Sequence, residues 1–150
     1  MILSEFIKHR AKYFDKTIEY FEDKVKANKY CRNNGIPVPK IFFTLKYVKN
    51  LINVNLPKNC ILKFNNLQCS NGIVVKRNNK FIGFNNKHEI VKYLNDNKNQ
   101  LKGQISIRNI PQKLIVEELL ESSEPNNILY DIKCMMLYGE VKFALIIDPN

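Results

Sequence analysis

A chain of 150 residues with 45% hydrophobic content and a formal net charge of +10 is one domain or part of one, and has enough apolar matter for a real core, which excludes a disordered chain. No apolar run approaches the ~20 residues of a membrane span, and the opening MILSEFIKHR lacks the apolar stretch and small-residue cleavage site of a secretory signal, so a cytoplasmic protein is expected. The cysteines Cys31, Cys60, Cys69 and Cys134 form no C-x-x-C pair and do not cluster with His9 or His88, which points to reduced thiols and away from a zinc site. The positive charge is scattered along the chain and rises together with Asn. That pattern reflects compositional bias as much as function, and implies no more than weak, non-specific polyanion binding at low salt.

Residues 4–22 carry Ile7, Ala11, Phe14, Ile18 and Phe21 at intervals of three and four, an apolar helical stripe. Asp23 reads as the N-cap of a second helix that ends at Gly35. The I-P-V-P run at 36–39 is extended, because each proline disfavours the helical region in the residue before it. Residues 40–45 are strand-like, 47–52 suggest a short helix, and 56–59 a turn. Two short β segments follow at 61–64 and 72–76, then a polar tip at 77–80, a returning strand at 81–84 and a helix at 88–95. After a polar loop at 96–102 come a weak β segment at 104–110, a strong one at 113–120, a polar loop at 121–127, and a hairpin of 130–137 and 141–147 turning at Tyr138-Gly139-Glu140. Helices first and strands with one inserted helix after them make the class α+β.

Two stretches hold the candidate chemistry. In ILKFNNLQCSNGIVVK, residues 61–76, two short strands enclose a loop of small and polar residues, and each strand carries a lysine. Asn and Gly tolerate positive φ, so the loop can turn backbone N–H groups inward, and N–H groups flanked by Lys63 and Lys76 suit a phosphate chain. By itself the stretch reads more simply as a hairpin with a solvated tip. In 113–120, strand alternation sends Ile115, Glu117 and Leu119 one way and Val116, Glu118 and Leu120 the other. A carboxylate in each apolar row is costly without a partner. Either these acids line a cleft with the lysines and the charged row of 130–137, or the segment is an edge strand whose acids face water.

The order of D-K before a helix, G-I-P-V-P, L-P-x-x-x-I-L-K with a polar loop and V-V-K, then I-V-E-E-L-L and Y-D-I-K before a hairpin resembles the ATP-grasp superfamily. It is most similar to the branch linked to bacterial cell-surface polysaccharide and teichuronopeptide synthesis. The likeness spans residues 23–147 and rests on order and spacing, not on one motif. It implies an N-terminal helical segment at 1–22 and a partial ATP-grasp domain at 23–150 that clamps ATP between α+β lobes. The activity implied is carboxylate–amine ligation through an acyl phosphate, with an unidentified carboxylate and acceptor. By position, Lys24 and Lys63 match phosphate-contacting lysines, and Ser70, Asn71 and Gly72 fall in the phosphate-covering loop. Glu117, Glu118, Leu119 and Leu120 match the adenine-binding inter-lobe segment. Asp131 falls near the ribose-contacting acid, and Lys133 matches a lysine to which no role is assigned.

Two departures accompany the likeness. The loop retains only Gly72 where the family has several glycines. The Mg²⁺-binding acids belong to later strands, so the resemblance places the metal ligands, and the C-terminal part of the fold, beyond residue 150. A non-catalytic module with a degenerate nucleotide site, used for protein contact, and a basic nucleic-acid-binding domain are the alternatives.

Overall fold

A computed structural model describes residues 21–67, 71–98, 110–121, 131–137 and 140–147. The chain divides into two compact units, Met1–Leu119 and Leu120–Asn150, each taken by itself below. The apolar stripe expected at 4–22 lies outside the described residues except for Phe21 and Glu22, which are helical.

Helix α1 is Lys24–Asn33, and Asp23 caps it by accepting from the Val25 backbone N–H at 2.9 Å. Gly35, at φ +71°, supplies the left-handed residue that ends it, as a helix C-terminus commonly requires. Strand β1 is Ile41–Leu45. The short helix expected next is a 3-10 turn, Val48–Asn53; six residues give too few i→i+4 bonds to offset nucleation of an α-helix.

Strands β2, Cys60–Phe64, and β3, Val74–Arg77, pair antiparallel with Cys60 opposite Lys76 and Leu62 opposite Val74. The following turn holds Asn78 and Asn79 at φ 51° and 64°, the two positive angles of a type I′ hairpin. Its return strand is shorter than 81–84: β4 is only Lys80–Phe81, and Gly83 at φ +78° turns the chain away. Helix α2, Lys87–Asn97, starts at a cap in which the Asn86 side chain accepts from the N–H groups of His88 and Glu89, both at 3.0 Å. Glu89 reaches back past the cap, accepting from the Asn85 N–H at 2.9 Å. The segment 104–110 lies outside the described residues apart from Ile110.

Strand β5 is Leu114–Glu117, the first half of the span expected at 113–120. The five-stranded sheet runs β1-β5-β2-β3-β4, antiparallel throughout. This order overturns the edge-strand reading: β5 lies between β1 and β2, and all four of its residues are buried. One face of the sheet carries the core. Leu62, Phe64, Val74, Leu114 and Val116 pack there with Ile90 and Leu94 of α2 and with Val48 and Leu51 of the 3-10 turn. Burying each such side chain contributes about 1.5–3 kcal/mol.

In the second unit, strands β6, Asp131–Leu137, and β7, Glu140–Ile147, form a two-stranded antiparallel sheet of their own. Residues 113–120 and 130–137 are therefore not sheet neighbours, and the single cleft imagined for their charged rows does not arise by strand pairing. Among the described residues no helix is long and apolar enough to cross a membrane. Cys31, Cys60 and Cys134 are free thiols, and Cys69 is outside the described residues.

Candidate functional site

The face of the sheet opposite the core gathers the charged residues. Because Leu114 and Val116 point into the core, strand alternation sends Ile115 and Glu117 to the other side, where Ile115 is fully buried and Glu117 only 6% exposed. Glu117 stands opposite Ile41 of β1 and Ile61 of β2. A carboxylate between two isoleucines needs a counter-charge. Lys63 provides it: paired with Ile115 in the β2–β5 ladder, it reaches diagonally and forms an ion pair with Glu117.

Lys24 joins this pair from the first turn of α1. Its ammonium donates to the Leu67 carbonyl, which sets it at the entrance of the polar loop. Burial holds the Lys24 pKa below its ordinary value, and the nearby Lys63 charge pushes the same way, partly opposed by Glu22, Glu117 and Asp23. Two ammonium groups are thus held close enough to repel, and the buried carboxylate paired with Lys63 also acts on Lys24.

Asn65 fixes the geometry. Its N–H donates to the Lys113 carbonyl at 3.0 Å, its carbonyl accepts from the Lys24 N–H at 3.0 Å, its Oδ1 accepts from the Lys113 N–H at 2.7 Å, and its Nδ2 donates to the Pro111 carbonyl at 3.2 Å. One wholly buried side chain therefore ties the start of α1 to the end of β2 and the approach to β5. Asn66 extends the lacing, donating to the Ile110 carbonyl at 3.4 Å and accepting from the Gln112 amide at 3.2 Å. The sequence places these two asparagines in the polar loop expected to turn backbone N–H groups toward a phosphate; in the structure their side chains bond within the chain.

Of the other expected residues, Ser70 lies outside the described residues and Asn71 is partly buried. Gly72 has φ +67°, and a Cβ there would meet the Phe64 ring at 3.0 Å, so glycine is required both by conformation and by close packing. Lys76 does not join the cluster. It shares a row with Val74 on the core side, is 8% exposed, and donates to the carbonyls of Leu56 at 3.1 Å and Pro57 at 2.9 Å and to Asn79 Oδ1 at 3.3 Å. Its charge serves the turn before β2, at the opposite end of the hairpin from the loop.

Beyond β5 the chain leaves the strand at Glu118. Its N–H donates to the Lys40 carbonyl at 2.9 Å, and its carboxylate accepts from the Lys40 N–H at 3.2 Å. Leu119 is partly buried and Leu120 is 50% exposed. No family model, curated protein or solved structure matches this chain. Asp131 and Lys133 stand in the second unit, opposite Ile147 and Leu145 in the hairpin ladder. The cluster that geometry assembles is therefore Lys24, Lys63 and Glu117 at the mouth of the 65–72 loop.

That cluster can receive an anion. Lysine ammonium groups hold a phosphate as point charges without fixed geometry, and a phosphate arriving here would relieve the repulsion between Lys24 and Lys63. A divalent metal has no comparable seat: among the described residues no three His, Cys, Asp or Glu side chains form a metal-holding group. Glu117 is engaged by Lys63 and Asp23 by the helix cap. Mg²⁺ does not fit the described residues, and no step is assigned to it.

Proposed function

We propose that the first unit is the nucleotide-binding part of an ATP-grasp-type carboxylate–amine ligase. The observation that carries this reading is that Lys63, paired with buried Glu117, lies near enough to Lys24, far from it in sequence and bonded to the Leu67 carbonyl, for their charges to repel. In this reaction class a carboxylate oxygen attacks the γ-phosphorus, the bond to the β,γ-bridging oxygen breaks and ADP leaves. An amine then displaces phosphate from the acyl phosphate. In the proposal Lys63 and Lys24 bind the phosphates, helped by backbone N–H groups of Ser70, Asn71 and Gly72. Glu117, Glu118, Leu119 and Leu120 enter as the adenine-binding segment through the family resemblance, with Glu117 paired on both sides in the sheet and the Glu118 N–H given to the Lys40 carbonyl. Asp131 and Lys133 enter only through the family resemblance, and so does a role in surface polysaccharide or peptide-conjugate synthesis.

A specific observation favours a second reading, a non-catalytic module with a degenerate site. Both ammonium groups are already satisfied within the chain, Lys63 by Glu117 and Lys24 by the Leu67 carbonyl, and the loop's one glycine is packed on Phe64. Titration calorimetry with ATP and with an unreactive analogue separates the two. An intact site binds in the millimolar to micromolar range, on the order of −4 to −8 kcal/mol, and Lys63→Ala weakens binding by ~1 kcal/mol or more, the scale of a charge-assisted hydrogen bond. Absence of heat from both ligands at millimolar concentration would establish the degenerate module instead.

A further inference from the structure

A second cationic site lies on the core side of the sheet, apart from the Lys24–Lys63–Glu117 cluster. A cavity of about 390 Å³ opens between the start of the 3-10 turn, the last turn of α2 and the approach to β5. This is within the range of small-molecule sites. Phe64 and Leu114 lie beneath it but are buried in the core, 2% and 1% exposed, so the surface it offers a ligand comes chiefly from Tyr47, the lysines, Asn95 and Gln112. Its rim is cationic, formed by Lys46, Lys49 and Lys98, and among the described residues no acidic side chain lines it.

The three lysines come from separate segments, so no basic run in the sequence announces them. Among the described residues their charges meet neutral partners. Lys46 and Lys49 lie over the Tyr47 ring, 5.3 and 5.9 Å from its centroid, and Lys98 donates to Asn95 Oδ1 at 3.2 Å. The end of α2 would ordinarily repel an anion, since unsatisfied carbonyls collect there. Several of them are already engaged. The Leu94 carbonyl accepts from the Lys98 N–H at 3.0 Å, the Tyr93 carbonyl from Asn97 at 2.8 Å, and the Lys98 carbonyl from Gln112 at 2.9 Å.

We propose that this cavity binds a small anionic molecule carrying an aromatic ring, the ring lying beside half-exposed Tyr47 and the negative group held by Lys46, Lys49 and Lys98. Half-exposed Tyr47, with two ammonium groups over its ring, suits an aromatic ligand whose charge sits at its edge. Asn95 and Gln112 supply neutral hydrogen-bonding groups on the same wall. The site is independent of the nucleotide reading and stands or falls separately from it.

The test uses the full chain and the fluorescent probe 1-anilinonaphthalene-8-sulfonate, with N-phenyl-1-naphthylamine as its uncharged counterpart. The expected result is one saturable site for the sulfonate, weaker binding of the neutral probe, and amide shifts in nitrogen-15 spectra centred on Tyr47, Asn95 and Gln112. The combined Lys46→Gln, Lys49→Gln and Lys98→Gln variant should lose affinity about tenfold or more, as removal of several charge-assisted contacts implies. Replacement of the same three residues by arginine should retain binding, which separates lost charge from lost folding. Lys80→Gln, at an exposed lysine of β4, should leave the probe affinity unchanged. Equal binding of charged and neutral probes, an unaltered affinity in the triple glutamine variant, or an equal loss in Lys80→Gln would each overturn the assignment.

Discussion

Lys24 is the residue whose charge is least comfortable in the fold. Burial and then Lys63 lower its pKa below the ordinary 10.5, so over the interval between its folded value and 10.5 the unfolded chain holds a proton that the folded chain has released. Stability rises with pH wherever the unfolded state binds more protons. The penalty for a charged Lys24 is therefore present below its folded pKa and is removed as pH climbs through that interval. Chemical denaturation of the wild type and of Lys24→Met across neutral to alkaline pH should show the wild type gaining relative to the variant as pH increases. Saturating ATP should flatten the difference if phosphate restores the lysine's proton. A gap that narrows in the opposite direction would contradict the burial argument. Glu117 is the complementary case, a carboxylate kept in an apolar row because Lys63 reaches it; removing either partner strands the other.

The best-defined short-range device in the chain is the start of α2. The Asn86 side chain satisfies the first-turn N–H groups of His88 and Glu89, Glu89 reaches back to the Asn85 N–H and the Asn86 side-chain amide, and Asn85 hydrogen bonds hold the Glu89 carboxyl below the usual range. Asn86→Ala should lower stability by about 0.5–2 kcal/mol, measurable as a shift in the urea midpoint at unchanged slope. An unchanged midpoint would mean that α2 is held by Ile90 and Leu94 alone. Features of this kind were legible in the sequence because they are local: Asp23 as a cap, Gly35 as a stop, and the two hairpins all follow from neighbouring residues. What could not be read was which lysine faces which side. Lys63 and Lys76 both sit on short strands flanking one loop. Only the register, with Val74 opposite Leu62, shows that Lys76 falls in the core row and Lys63 in the other. The central place of β5 was hidden for the same reason, since strand order depends on long-range pairing that a continuous apolar run does not encode.

The chain carries a charge of +10, and among the described residues of the first unit the lysines named above fall on two faces of the sheet. Lys24 and Lys63 lie on one face of the sheet, and Lys46, Lys49 and Lys98 on the other. A nucleic-acid reader concentrates its basic residues where a groove or backbone runs, and this arrangement divides them. Binding to DNA or RNA should accordingly be sequence-blind, driven by counterion release, and largely lost by ~0.15 M salt. A filter-binding titration over a salt series decides the matter: submicromolar, sequence-selective binding at ~0.15 M salt would instead favour a basic nucleic-acid domain. The order of elements from Asp23 onward agreed with the α+β reading, and the antiparallel sheet with its inserted helix is what that order describes. The proposed site is less legible, because its three residues come from a helix start and two strands, and only folding brings them together.

Asn65 also has a kinetic consequence. Its carbonyl and side-chain oxygens receive the amide hydrogens of Lys24 and Lys113, while its own amide is given to Lys113. None of these three hydrogens can exchange with solvent water unless the knot at Asn65 loosens, and loosening it frees the head of α1 and the approach to β5 in one event. The amides of Lys24, Asn65 and Lys113 should therefore exchange for deuterium at protection factors within about tenfold of each other, the behaviour of one cooperative opening unit. Independent rates would show that the helix and the sheet open separately. In that case the distance between the two lysine ammonium groups would fluctuate with the helix, and the anion site would be assembled only part of the time.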